Sequence, residues 1–166
     1  MLLQPSDPSI STYGTKTLSY AISIGSFPYK PGFNPYQRLI TGAIEDAGAD
    51  VVRIPPVKWF PLQKAFATEC DILHLDWPHD WYNGKNALTR FLKKQMYLGA
   101  LRNKKKTIGR TKLVWTAHNL VSHDSGGSGH EHKMIQALID QCDGIMVMSE
   151  ASRALLEQTY LSLIHI

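Results

Sequence analysis

Cysteine is nearly missing from this chain: Cys70 and Cys142 are the only two in 166 residues. Two thiols do not make a disulfide framework, so stability has to come from a packed core, and the simplest reading is a reduced, cytoplasmic protein. Long apolar runs are missing as well. None approaches the roughly 20 residues that a membrane helix needs. The first residues lack the charged-then-apolar layout of a secretory signal. Three glycine fingerprints are absent: Gly-x-Gly-x-x-Gly for dinucleotides, Gly-x-x-x-x-Gly-Lys-Ser/Thr for a P-loop, and the Gly-x-Ser-x-Gly elbow of serine hydrolases. Acid is missing from one long stretch. No Asp or Glu occurs between Asp80 and Asp124, whereas nine of the 18 Lys and Arg fall between Arg90 and Lys112.

What is present suits one domain with a real core. Met1 to about Thr17 is rich in Ser, Pro and Gly without periodicity and reads as a loose tail. Strands are expected at Leu18–Ile24, Val51–Ile54, Ile72–Leu75, Leu113–Thr116 and Ile145–Met148. Between them the apolar spacing changes to that of helices. The first helix has Asn34 as N-cap and Pro35 at its first turn, a stripe of Tyr36, Leu39, Ile40, Ala43, Ile44 and Ala47, and Gly48 at its end. Further helices are expected over Lys58–Thr68, Asn86–Lys105, His132–Gln141 and Glu150–Thr159. Strands alternating with helices predict an α/β fold, a doubly wound and mostly parallel sheet with helices on both faces. One echo marks the edge where helices run into strands: Ala49-Asp50-Val51, Cys70-Asp71-Ile72 and Cys142-Asp143-Gly144. The small residue fits a crowded turn and the Asp can bond backbone N–H groups, so these cysteines and aspartates read as structural.

The opposite edge carries other chemistry. Lys112 to Asp124 starts as an apolar, β-prone run, Leu113-Val114-Trp115-Thr116, and stops on His118, Asn119, Ser122, His123 and Asp124. Ligands of open parallel sheets bind beyond the carboxyl ends of the strands, where His118 and Asn119 are expected. Taken alone, His118 is more simply read as a strand cap bonded to backbone. Other strand ends converge with it: Gly25 and Ser26 after the first strand, His74 and Asp76 at the third, and Ser149 and Glu150 at the fifth. The period of two puts Ile72, His74 and Asp76 on one face. Several polar strand ends at one crevice point to a binding site. His123, Asp124, His130, Glu131 and His132 have the composition of metal ligands, but their spacing matches no closed motif, and no metal is expected.

Three segments resemble a family. Thr116-Ala117-His118-Asn119-Leu120 followed by Ser122-His123-Asp124 looks like the Thr-x-His-Asn-Leu-x-Pro-His-acidic segment of family-4-like GT-B glycosyltransferases. Asp71-Ile72-Leu73-His74-Leu75-Asp76-Trp77-Pro78 resembles their Asp-x-x-His-x-His-Trp-Pro segment. Cys142-Asp143-Gly144-Ile145 through Met148-Ser149-Glu150 resembles their Ala-Asp-x-Ile-x-x-x-Ser strand and helix start. The similarity covers about Leu18 to Thr159, with Asp76 where a His is usual and Ser122 where a Pro is usual. The resemblance implies a Rossmann-like domain over residues 18–160, the acceptor-side half of a glycosyltransferase that takes a nucleotide sugar as donor and needs no further cofactor. The acceptor would be a carbohydrate or a lipid-linked molecule. His118 and Asp76 would be catalytic, Asp76 as a base. Gly25, Ser26, His74, Asn119, Ser149 and Glu150 would hold substrate, although Glu150 also suits the positive end of the last helix. The end of the chain, Leu161-Ser162-Leu163-Ile164-His165-Ile166, resembles a translated sequencing adapter. The expectation is a gene fragment with a non-native tail at 161–166, inactive alone. A non-enzymatic, flavodoxin-like module binding a small ligand at the same strand ends is the alternative.

The basic stretch adds one more expectation. On the Asn86 helix, Leu88, Phe91, Leu92, Met96 and Leu98 share a face, opposed by Arg90, Lys93, Lys94 and Lys104. This reads as a core stripe with a solvated back. The sharper alternative is a peripheral contact of the Arg90–Lys106 region with anionic lipid, at the inner face of a membrane. No nucleic-acid-binding module is recognisable, and no nucleic-acid partner is expected.

Overall fold

The structure, a computed structural model, describes residues 21–30, 32, 35–118 and 129–160, with Gly129 and His130 in backbone only. The expected tail at 1–17, the first helix's cap Asn34, the strand-end residues Asn119, Ser122, His123 and Asp124, and residues 161–166 lie outside the described residues. Among the described residues five strands and seven helices follow one another: β1 (Ser23–Phe27), α1 (Pro35–Asp46), β2 (Asp50–Arg53), α2 (Pro61–Phe66), β3 (Ile72–Leu75), α3 (His79–Tyr82), α4 (Ala87–Arg102), α5 (Lys104–Ile108), β4 (Lys112–Ala117), α6 (Gly129–Ile139), β5 (Gly144–Val147) and α7 (Glu150–Thr159).

All strand pairs are parallel, in the order β2-β1-β3-β4-β5. The chain steps to one side from β1 to β2 and to the other from β3 onward. Right-handed crossovers therefore put α1 on the face opposite the helices that follow β2. Those helices, α2, α4, α5 and α6, pack on one another. The direction reverses between β1 and β3, which makes their carboxyl ends the topological switch point.

Alternation along each strand gives the sheet two unlike faces. One carries Phe27, Leu73, Leu75, Leu113, Trp115 and Ala117, all buried with Leu62 and Phe66 of α2, Tyr97 and Leu101 of α4, and Ile135 and Leu138 of α6. Trp81 of α3 joins this layer through its ring contact with Phe27, 5.2 Å between centroids. The other face carries Ser26, His74 and Thr116, all buried polar residues. The helix on that face, α1, buries Gln37 and Thr41. Gln37 fastens the loop before its own helix: its amide accepts from Lys30 N at 2.7 Å and donates to the Pro28 carbonyl.

Several elements differ from the sequence reading. The first strand runs on through Gly25, Ser26 and Phe27, because β1 is an interior strand that pairs with β2 over Ser23–Ser26 and with β3 over Ile24–Phe27. Ladder pairing on both sides overrides the low strand propensity of Gly and Ser. The first helix does not bury its Leu39–Ala43–Ala47 side; Leu39 is exposed, and Gln37 and Thr41, two positions away from Leu39, face the sheet. The long basic helix divides at Asn103, whose side chain donates to the Gly99 carbonyl at 3.0 Å and so competes with continued helix. Its start is as expected, with a reciprocal cap between Asn86 and Thr89. Its inward side is Tyr97, Ala100 and Leu101. Leu88, Phe91 and Leu92 are 68%, 58% and 43% exposed and form no core stripe. The short α3 was not foreseen.

Asp71 and Asp143 of the amino-edge echo are structural, through bonds that reach across strands where local backbone bonds were expected. Asp71 Oδ2 accepts from both N and Oγ of Ser23 at 2.8 Å. Asp143 Oδ2 accepts from Leu113 N at 2.8 Å and from Lys104 Nζ at 2.7 Å. Both cysteines are free, and burial pushes the Cys142 thiol up to about 12. Among the described residues no helix is long and apolar enough to cross a membrane.

Candidate active site at the carboxyl edge of the sheet

The switch point gathers its side chains on the polar face. His74 and Asp76 alternate onto that face from β3, and Thr116 and His118 do so from β4. The Asp76 amide donates to the Phe27 carbonyl at 2.9 Å, so the end of β3 is held against the end of β1. His118 Nε2 donates to Asp76 Oδ1 at 2.8 Å. A carboxylate only accepts, so this bond fixes the tautomer and leaves Nδ1 as the nitrogen that can take a proton. His74 Nε2 lies 3.9 Å from the same oxygen and shares a 2.6 Å hydrogen bond with Thr116 Oγ1. Tyr36 of α1 donates to Thr116 Oγ1 at 3.4 Å.

Aromatic rings hold the imidazole of His118 in place. Trp77 stacks on it with centroids 4.6 Å apart and planes at 11°. Tyr36 meets it edge-on, also at 4.6 Å. Trp77 adopts φ 40°, in the left-handed region that costs a bulky residue energy. Such strain persists where the surroundings over-determine it, and it gathers at functional sites. Here the strained residue supplies the plane under His118.

The electrostatics follow from burial. Asp76 has no exposed surface, while the His118 side chain keeps 15%. The carboxylate therefore reaches a ligand only through the imidazole, and does not stand in the crevice as a free base. Burial is the main cause holding the His74 imidazole below its ordinary range; Asp76 pulls it up and His118 pushes it down. Burial likewise raises the Tyr36 phenol, against the hydrogen bond to Thr116, with Asp76 adding to the rise. Ser26 Oγ, His74 Nδ1 and Asp76 Oδ2 are buried without a hydrogen-bond partner among the described residues. Among the described residues, the ends of two adjacent strands thus bury three polar atoms without a partner.

The expected site residues thus separate into groups. His118, Asp76 and His74 come together, with Ser26 beside His74 in register. Gly25 does not line a loop: it lies inside β1 on the apolar face, where an added Cβ would sit 2.9 Å from Cys70 Sγ and 3.3 Å from Leu73. Ser26 is also inside the strand and fully buried. Ser149 caps α7, its Oγ accepting from Ser152 N at 3.1 Å. Glu150 is 91% exposed and 3.9 Å from Arg153, so both belong to the helix start. The sequence reading placed Tyr36 in a core stripe and gave Trp77 no role; the Trp-Pro pair directly after a strand end was the available signal. It also missed the part-buried pair of His79 Nδ1 with Glu131 Oε1 at 2.9 Å, whose members stand 52 residues apart. Among the described residues no group of three or more His, Cys, Asp or Glu could hold a metal ion.

No protein-family model matches this chain, and no curated protein matches it. The fold is Rossmann-like. It is a five-stranded, all-parallel α/β sheet with the flavodoxin-type strand order.

Proposed function

We propose that this domain is the acceptor-side half of a GT-B glycosyltransferase, moving a sugar from a nucleotide-sugar donor to the hydroxyl of a carbohydrate or lipid-linked acceptor. The observation that supports this most is the Asp76–His118 bond at the switch point, with the imidazole walled by Trp77 and Tyr36. In this reading His118 Nδ1 takes the proton of the acceptor hydroxyl. The acceptor oxygen bonds to the anomeric carbon as the bond from that carbon to the diphosphate breaks. The nucleoside diphosphate leaves with the electron pair. Asp76 holds the tautomer and stabilises the imidazolium that forms, as the buried carboxylate of a catalytic triad does. Direct displacement of this kind inverts the anomeric centre. The nucleotide sugar is a substrate, held mainly by a second domain across the cleft, and no resident cofactor takes part.

The test is transfer from a panel of labelled nucleotide sugars by a polypeptide that joins this domain to a donor-binding half. His118→Ala should lower kcat/KM by about 2–4 kcal/mol of transition-state stabilisation with the fold intact. Unchanged kcat/KM with a lowered melting temperature would mean that His118 is a structural cap. One observation favours a second reading: the strand order 2-1-3-4-5 is also that of flavin-binding modules. Quenching of flavin mononucleotide fluorescence by the 166-residue chain, without sugar transfer, would decide for it.

A further inference from the structure

The exposed side of α4 has the wrong chemistry for plain solvent contact. Leu88, Phe91 and Leu92 form an outward crest on its first half. Trp59 and Phe60, just before α2, are also exposed. A hollow of about 550 Å³ joins the two places, lined by Lys58, Trp59, Lys85, Thr89 and Lys93 among others. A second, of about 430 Å³, flanks the other side of the crest, with Arg90, Phe91, Lys94 and Met134 in its wall. Five bases line these hollows, and Asp80 is the one acid in either lining. Lys93 also ties into this rim, donating from Nζ to the Asp80 carbonyl at 3.0 Å.

We infer that this crest docks on an anionic lipid surface, with Leu88, Phe91, Leu92, Trp59 and Phe60 entering the headgroup boundary and Lys58, Lys85, Arg90, Lys93 and Lys94 meeting lipid phosphates. An apolar crest between basic flanks is the pattern of an interfacial helix, and long basic side chains lie along such a helix with their charges outward. Tryptophan favours the same boundary. A second copy of the chain fits less well, because it would bring an equally positive rim against this one. The contact is narrower than the whole Arg90–Lys106 region: it excludes Lys105 and Lys106 on α5, at the far end of α4. The first half of α4 follows β3, so the crest and His118 share the carboxyl rim of the sheet. The docking stands apart from the reaction proposed above.

Sedimentation with vesicles tests it, using phosphatidylcholine with phosphatidylglycerol against phosphatidylcholine alone. The 166-residue chain should bind the anionic vesicles, leave them as salt rises, and shift its Trp59 emission to shorter wavelength. Leu88→Gln, Phe91→Gln and Leu92→Gln together should weaken binding about tenfold or more, as should Lys85→Glu with Arg90→Glu. All of these positions are exposed, so the urea midpoint should stay at the wild-type value. Lys105→Glu with Lys106→Glu should bind as wild type, and so should His118→Ala. Absent or salt-independent binding would overturn the inference. So would full binding by the triple glutamine variant, an equal loss in the Lys105/Lys106 variant, or a dimer in light scattering that Phe91→Gln dissolves.

Discussion

The two faces of one sheet divide the labour of this domain. On the face under α2, α4 and α6, strand residues are apolar and fully packed: Leu73, Leu75, Leu113 and Trp115 have no exposed surface. On the face under α1, the same strands bury Ser26, His74, Asp76 and Thr116, and the helix above them buries Gln37 and Thr41. Burying polar groups costs stability unless each finds a partner, and three atoms here have none among the described residues. A sheet optimised only for stability would repeat the apolar face on both sides. The difference teaches that one face supplies the folding free energy, while the other uses part of it to hold His118 against Asp76.

The contrast can be broken most forcefully on the apolar side. Leu73→Ala removes a fully buried side chain facing the helix layer, and should destabilise the domain by about 2–5 kcal/mol in urea unfolding. A loss as small as that of an exposed residue would contradict the division. Gly25→Ala tests the same side by addition. Its Cβ would meet Cys70 Sγ at 2.9 Å, Ile54 at 3.2 Å and Leu73 at 3.3 Å, and overpacking of this kind should cost about 1–3 kcal/mol. A stabilised Gly25→Ala variant would show that β1 has more room than the structure gives it.

A pH series examines the polar side. Burial, the largest cause, lowers the His74 pKa from 6.5, while Asp76 raises it and His118 lowers it. The unfolded chain then binds a proton near its ordinary pKa that the folded chain refuses. Stability from this group is complete above pH 6.5 and declines as pH falls below it, by at most about 1.4 kcal/mol per pH unit. Asp76 and His118 face His74 at its own site, and Tyr36 faces it across Thr116, so the variant His74→Gln is needed to isolate the slope. Urea midpoints of His74→Gln should fall less steeply with acid than those of the wild type. An unchanged slope would remove His74 from the account.

Much of the fold was legible because its signals were local. The period of two placed His74 and Asp76 on one face, the Asp71 and Asp143 echo marked the amino edge, and Ser149 with Glu150 marked the start of α7. What was not legible depended on partners distant in sequence. Gly25 and Ser26 read as loop until β2 and β3 paired with them on both sides. The α4 stripe read as core because periodicity reports that apolar residues share a face, not which way the face points. The full burial of Asp76 was not legible, because nothing in its neighbours announces that His118, 42 residues later, covers it. Trp77 and Tyr36 were in view as residues, but their meeting on one imidazole needed Tyr36, at the start of α1, to reach Thr116 and His118 at the end of β4.

The central claim, that the sugar chemistry belongs to the polar face of the sheet, has a direct test in the tryptophans. Trp77 lies on the imidazole of His118, whereas Trp81 and Trp115 lie in the apolar layer. Oligosaccharide acceptors can be titrated into the labelled 166-residue chain while indole and imidazole resonances are followed. The account expects Trp77 and His118 to move together, Trp81 and Trp115 to stay in place, and Asp76→Asn to weaken the response without unfolding the domain. Shifts at Trp81 and Trp115 with Trp77 and His118 unmoved would put the ligand on the other face and contradict it.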